Sequence, residues 1–315
     1  MQVKKICVLG GSGFVGSSVV AKLDQAGYAV TVLTRRRDTA KHLFLLPNVS
    51  VLECNVLDDK ALTAALKDAD AVINLIGILH QSRRASFDKV HHQLPARLAK
   101  ICEILGIKRL LQMSSLQADK SAPSEYLRSK AAGEAALLAY APKLDVTIFR
   151  PSIIFGFGDS FTNLFATLIK FLPVVLLAKP NARFQPIWVE DVASCFAASI
   201  QNTVTYGQIY ELAGPKVYTF RQLVQQIMVA LGVRRPIVGL GNALSYAQAF
   251  IMELLPVKLM SRDNVRSMEV DSVSASSFPA IFGVEPAVLE AVMPEYLVDS
   301  TQRGAYDRYR SFAAR

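Results

Sequence analysis

VLGGSGFVGSSVV, residues 8–20, carries glycines at 10, 13 and 16 between two segments of different periodicity. VKKICVLG, which leads into it, is a short apolar run and reads as a strand. FVGSSVVAKLDQAG, which follows, has helical spacing and ends at Gly27. A strand, a glycine turn and a helix in this order form the opening of a parallel βαβ unit. Gly10 suits a tight turn, Gly13 lets the backbone approach a bound group, and Gly16 lets the helix pack closely on the strand. The free N–H groups at the helix start favour an anion, and the pattern fits the pyrophosphate of a dinucleotide.

The alternation continues outward. AVTVLT reads as a second strand and VSVLECNV as a third; DKALTAALKDAD is helical, AVINLIG a fourth strand, and HHQLPARLAKICEILG a helix ending at Gly106. KRLLQMSS is a fifth strand, the segment around Tyr126 a helix, and DVTIFRPS a sixth strand. Such alternation predicts an α/β fold, a doubly wound parallel sheet with helices on both faces and its ligand at the carboxyl ends of the strands. Beyond about residue 155 apolar helices and loops dominate, and RFQPIWVEDVA and GQIYELAG read as returning strands. The expected organisation is a sheet domain over residues 1–155 with returning elements near 183–213. A smaller, discontinuous substrate-side domain takes residues 156–182 and 214–315. TFRQLVQQIMVALG should be a helix with Thr219 as N-cap and Gly232 as its stop.

Hydrophobic residues make up 51% of the 315-residue chain and charged residues 19%, which allows a large core and excludes a disordered chain. The net charge of +9 suits an anionic partner. Basic residues are scattered, Arg35–Arg37 being the one tight run and Arg83 with Arg84 a weaker pair, so no nucleic-acid arm is expected. Cys7, Cys54, Cys102 and Cys195 form no CxxC and read as core residues in a reducing compartment. The N-terminal apolar run is broken by glycines and does not read as a signal peptide. No apolar stretch is long enough to span a bilayer. LFATLIKFLPVVLLA (164–178) and LSYAQAFIMELLP (244–256) come nearest. They are read as substrate-domain core, as lining of a pocket for an apolar substrate, or as a surface resting on a membrane or a membrane-protein partner. The expected location is cytoplasmic, with peripheral attachment to the inner face of a membrane as the extension of that reading.

The end of strand two bears on the nucleotide. VLTRRRD puts Thr34 where a site for NAD(H) usually places a carboxylate, and Arg35 and Arg36 follow. A guanidinium can hold a 2′-phosphate through parallel charge-assisted hydrogen bonds. NADP(H) is therefore the expected cofactor and NAD(H) the alternative. Tyr126 and Lys130 are one helical turn apart on one face. A nearby ammonium favours phenolate, and such a pair can move a proton to or from a substrate oxygen. Ser114 and Ser115 end strand five at the same sheet edge. His91–His92 lacks metal-ligand spacing, and no metal site is expected. Glu190–Asp191 reads as a helix start and cap, and Trp188 as core.

Together LGGSGFVGSSVV, NLIGIL, QMSS, YLRSKAAGEAAL, FRPSIIFGFGD and FQPIWVEDVA resemble the extended short-chain dehydrogenase/reductase superfamily. Within it the likeness is to the atypical branch of the NAD(P)H-binding accessory subunit of respiratory complex I and its bacterial relatives. The resemblance covers residues 1–215 well and implies a Rossmann-type fold. It implies that Gly10, Gly13 and Gly16 form the pyrophosphate turn, with Phe14 and Val15 opening the helix behind it. Arg35 would contact the 2′-phosphate beside Thr34 and Arg36. Asn55 and Val56 would lie near the adenine, and Gly77 and Pro151 at the ends of strands four and six. Ser115, with Ser114 as backup, would supply the active-site hydroxyl, Tyr126 the acid/base and Lys130 the ribose contact. SLQAD replaces the Val-Tyr-Gly-like stretch of many sugar-nucleotide enzymes, and LIGIL replaces a small-residue pair, which speaks against a nucleotide-sugar substrate. Two roles follow: a cofactor-holding accessory or assembly factor of a respiratory complex, or an active NADP(H)-dependent reductase or epimerase for a small apolar carbonyl or alcohol.

Overall fold

The computed structural model describes residues 2–82, 85–255 and 259–297; Arg83, Arg84 and Pro256, named above, lie outside the described residues. The first half alternates as expected. It runs β1 (Lys5–Leu9), α1 (Phe14–Gln25), β2 (Ala29–Thr34), β3 (Val49–Glu53), α2 (Asp59–Leu66), β4 (Ala71–Asn74), α3 (Leu94–Leu105), β5 (Arg109–Met113), α4 (Glu125–Leu138) and β6 (Asp145–Pro151). The second half contributes β7 (Ile154–Phe155), α5 (Ser160–Phe171), β8 (Val175–Ala178), β9 (Arg183–Phe184), β10 (Ile187–Trp188), α6 (Val189–Ser199) and β11 (Gln208–Leu212). It closes with β12 (Tyr218–Thr219), α7 (Phe220–Leu231), β13 (Ile237–Leu240), α8 (Asn242–Glu253), α9 (Arg262–Ser267) and α10 (Leu289–Leu297).

Seven strands form one sheet in the order β11-β6-β5-β4-β1-β2-β3. Every pairing in it is parallel. Strand order reverses between β1 and β4, which opens a crevice at their carboxyl ends. Side chains alternate between the two faces, and cover on both faces makes the central strands largely apolar, while the edge strands β3 and β11 keep polar, exposed residues. Ile6 and Val8 enter a core with α1 and α6, while Cys7 and Leu9 enter another with α2, α3 and Leu137 of α4. A third core joins Phe155, α5, β8, α7 and α10.

Three departures from the sequence expectations have local causes. RFQPIWVEDVA does not return to the main sheet. It gives the two-residue strands β9 and β10, which pair with β12 and β7, and then α6. Pro186 has no N–H for a ladder, and the Gln185 N–H goes to Ser272 O. The seventh strand comes from GQIYELAG instead, as β11 beside β6.

The helix expected from His91 begins as a π turn, Asp88–Gln93, and becomes α3 only at Leu94. Pro95 cannot donate to the His91 carbonyl. That carbonyl points at α4, where a Cβ on Gly133 would fall 1.9 Å from it.

Glu190 and Asp191 lie in the first turn of α6 but do not cap it, for no side chain caps that helix. Both are buried: Ser18 Oγ donates to Glu190 Oε1 at 2.8 Å, and the Ala287 N–H donates to Asp191 Oδ2 at 2.9 Å. Thr219 and Gly232 do bound α7, through a capping box with Gln222 and a left-handed stop. Trp188 is half-buried against the third core.

Arg109 is a buried cation that nothing in the pattern announces. Its guanidinium donates to Ile200 O, Asp145 O, Ser199 O, Thr147 Oγ1 and Thr205 Oγ1, and lies 4.5 Å from the Tyr206 ring centre. Burial pulls it down to about 10, so it stays charged at neutral pH. It ties the start of β5 to β6 and to the end of α6.

Gly133→Ala should force α3 and α4 apart and lower stability by about 1–3 kcal/mol, the usual range for an overpacked core. An unchanged urea midpoint would contradict the close approach. Burial pushes the Asp191 carboxyl up to about 6 from 3.8; the Ala287 N–H opposes the shift and Glu190 adds to it. The folded chain thus keeps a proton that the unfolded chain releases. That contribution is full below pH 3.8 and is lost as the pH rises through about 6. Asp191→Asn keeps an acceptor for Ala287 without the charge, so its advantage over wild type should grow as pH rises through that window. A pH-independent difference in urea midpoints would refute this.

Candidate functional site

The glycine turn lies on the crevice between β1 and β4. Gly10 takes φ +78°, and the Gly13 N–H donates to Gly10 O at 3.1 Å. A Cβ on Gly16 would meet Gly10 O at 2.2 Å and Gly11 Cα at 2.6 Å, so α1 can press its first turn onto the loop only with glycine there. No side chain caps α1 and no acidic residue stands in its first turn. The helix start is therefore a cradle with unclaimed positive polarity. Ser17 Oγ donates to Gly13 O at 2.8 Å and fixes the loop from behind. Phe14 and Val15 are half-buried at the mouth.

At the end of β2, Thr34 is buried. Its hydroxyl lies 3.4 Å from Ser12 Oγ and donates to Arg36 O at 3.1 Å. Arg35 and Arg36 are exposed, and neither guanidinium has an ion pair among the described residues. Arg37 instead stacks on Phe44, 5.3 Å from the ring centre. Asn55 is exposed and Val56 buried beyond β3; Asn55 Oδ1 accepts the Leu57 N–H at 3.1 Å.

The other half of the crevice is built by β4, β5 and α4. Asn74 and Gln112, both buried, join through Asn74 Nδ2 and Gln112 Oε1 at 2.9 Å, and Asn74 Oδ1 accepts the Ile76 N–H at 3.2 Å. This pair shapes the turn that carries Gly77. Lys130 is buried and reaches back to donate to Met113 O at 3.3 Å. A Cβ on Gly77 would lie 3.3 Å from Lys130 Nζ and 3.7 Å from His91 Nε2. Burial lowers the Lys130 ammonium to about 8, and Glu134 holds it from falling further.

Tyr126 is half-buried, its ring centre 5.8 Å from Lys130 Nζ. Burial raises the phenol and a hydrogen bond with Ser115 pulls it back, so the ammonium does not lower it as the spacing suggested. The phenol is therefore a neutral donor at pH 7. Ser114 is buried, and its Oγ has no partner among the described residues. Pro151 closes β6 and accepts the Leu116 N–H at 2.9 Å.

The structure thus brings Ser115, Tyr126, Lys130 and Gly77 together, and Gly10 beside the turn after β4, where its Cβ would lie 3.2 Å from Ile76 N. Arg35, Arg36 and Asn55 stand apart at the outer end of the same sheet edge. Two supporting residues escaped the sequence reading. His91 accepts the Ile78 N–H on Nε2 at 3.0 Å, so its Nδ1 carries the proton that goes to Ser129 Oγ, 2.9 Å away. Ser129 Oγ in turn donates to Tyr126 O at 2.7 Å. Burial, then the Lys130 charge, drives His91 down to about 2, so it is a neutral strut. Its ring meets Tyr126 edge-on at 5.3 Å. Asp263 of α9 accepts the N–H groups of Glu125 at 2.8 Å and Tyr126 at 3.0 Å, capping α4 beside Ser124. No sequence signal links residue 263 to 126. Among the described residues no cluster of potential metal ligands occurs.

The glycine cradle and the orphaned Ser114 hydroxyl fit a dinucleotide laid across the crevice. The family model for the NAD dependent epimerase/dehydratase family matches residues 6–213. The NADH dehydrogenase [ubiquinone] 1 alpha subcomplex subunit 9, mitochondrial, of Arabidopsis thaliana is 36% identical over 227 residues, 69% of this chain and 56% of that protein. The chain thus spans little more than half of that relative's length. The subunit of the same name in Rattus norvegicus is 29% identical over 303 residues, 92% of this chain and 78% of that protein. Among solved structures, a dTDP-glucose 4,6-dehydratase double mutant from Streptomyces venezuelae, with NAD and DAU bound, superposes with a TM-score of 0.75 at 20% identity. That match covers 98% of this chain and 100% of the other. With its family-model match over residues 6–213, and with its seven-stranded parallel sheet and glycine turn, the chain belongs to the NAD dependent epimerase/dehydratase family of extended short-chain dehydrogenases/reductases.

Proposed function

We propose that the protein holds NADP(H) as an accessory or assembly factor of a respiratory complex, at the inner face of a membrane. One observation carries the nucleotide assignment. The position at the end of β2 where a carboxylate would bind the ribose hydroxyls is filled by a buried threonine, and the two arginines after it are exposed and free of ion pairs among the described residues. In this reading Gly10, Gly13 and Gly16 bind the pyrophosphate, Arg35 and Arg36 the 2′-phosphate, and Lys130 with Ser114 the nicotinamide ribose. The respiratory role extends to this chain what the two named relatives are, subunits of NADH dehydrogenase. When bound, the nucleotide supplies a hydride donor or acceptor.

A second reading, a reductase or epimerase for a small apolar carbonyl or alcohol, is favoured by the Tyr126 phenol, whose ring centre lies 5.8 Å from Lys130 Nζ and which burial keeps protonated. A neutral phenol can donate a proton to a substrate oxygen. For that step Lys130 would steady the ribose and His91 would hold α4 in place.

Arg35→Ser with Arg36→Ser should weaken NADPH by about 1.5–3 kcal/mol, roughly 10–150-fold, and leave NADH unchanged. Calorimetry on both nucleotides checks this, and wild-type protein preferring NADH would overturn the assignment. Tyr126→Phe should retain the nucleotide that co-purifies with wild type, and neither protein should oxidise it with quinones, ketones or sugar nucleotides. A turnover that Tyr126→Phe abolishes while binding survives would replace the holding role with the second reading.

A further inference from the structure

We propose that the face formed by the end of α5, β8, β13 and α8 docks onto an anionic lipid bilayer. The inference deepens the membrane part of the proposed function and rests on it for location only; it does not depend on which nucleotide the cradle holds.

α8 is built inside out. The residues it buries are small, Ser245 and Ala249, and Ser245 Oγ donates to Gly241 O at 2.9 Å. Leu244, Ala247, Ile251, Leu254 and Leu255 follow helical spacing on its open side and are all exposed, Ile251 at 62% and Leu254 at 72%. An amphipathic helix ordinarily turns such a stripe to the core. Here it turns it to the surroundings.

The stripe does not stand alone. Gln248 Nε2 donates to Leu176 O at 3.1 Å, which sets α8 against β8. On β8 and β13 the paired residues Leu176 and Val238 are both exposed, while Val175 and Leu177 face the core. The Val175 N–H donates to Pro236 O at 3.0 Å, which ties β8 to the start of β13, and β8 follows directly on the end of α5. There Phe171, 81% exposed, stands with Leu172 and Val174. The end of α5, the paired strands β8 and β13, and α8 thus each expose apolar side chains on neighbouring elements. Soluble monomers rarely leave such a surface uncovered.

Charge selects the occupant. Lys170, Arg234 and Arg235 are exposed beside the patch, and Arg235 Nε donates to Ile169 O at 3.3 Å, one residue from Lys170. None of the three has an ion pair among the described residues. The neighbouring carboxylates are already neutralised, Glu253 by Arg262 and Glu269 by Lys179. Apolar side chains with unpaired cations beside them match the acyl boundary and the anionic headgroups of a bilayer. Among the described residues no helix is long and apolar enough to cross a membrane, so the contact is peripheral.

The test is co-sedimentation of the full chain with vesicles of phosphatidylcholine and phosphatidylglycerol in equal parts, against phosphatidylcholine alone. The protein should pellet with the anionic vesicles and leave them as salt rises. Lys170→Gln with Arg234→Gln should weaken partition about fivefold per cation removed. Ile251→Glu should also release it, with thermal unfolding and NADPH affinity unchanged because the residue is exposed on α8 and no part of the cradle. Recovery of wild type in the supernatant at low salt would overturn the proposal. So would variants that pellet like wild type, or a wild-type dimer that Ile251→Glu splits while vesicles stay bare. Loss of NADPH binding with vesicle binding intact would strike the cofactor role and not the docking face.

Discussion

The contact on which the structure depends is the seating of α1 on the turn after β1. A helix start can offer its N–H groups to a phosphate only if nothing fills the space in front of them, and here the Gly16 backbone lies too near Gly10 O for any side chain. That closeness fixes the depth of α1 in the first core, and Ser18 on the same helix then meets Glu190 of α6. The crevice, the covering helices and the position of β4 are set by how near one helix can come to one turn.

The sheet was legible because its central strands are buried on both faces and each covering helix on one. The period of apolar residues alone gave the first six strands and the helices between them. The glycine spacing, the serines after β5 and the Tyr126–Lys130 pair were legible for the same reason: local chemistry at fixed offsets. What escaped depends on contacts distant in sequence. The π turn at Asp88–Gln93 arises because Pro95 leaves the His91 carbonyl free and Gly133, some forty residues on, makes room for it. The rise in the Tyr126 phenol is a property of its surroundings, which i,i+4 spacing cannot report. The short strands β9 and β10 defeated pattern reading because two residues carry no period.

The site is a composite of two kinds of support. The phosphate end rests on backbone geometry from the first forty residues. The end built by β4, β5 and α4 rests on buried polar side chains: the Asn74–Gln112 pair, the neutral His91, and Lys130 held between Met113 O and the turn at Gly77. A buried polar network of this sort keeps one geometry because each member has a partner that would be costly to lose. Ser114 is the member without one, at the place where a ligand would supply it.

The cap on α4 has a consequence for the order in which the molecule matures. Asp263 grips the N–H groups of Glu125 and Tyr126 from well over a hundred residues downstream. During synthesis the glycine loop and the first strands can assemble while that carboxylate is still untranslated. The tyrosine helix acquires its final clamp only when the later segment arrives, so the geometry around Tyr126 is completed after the glycine turn and waits for α9.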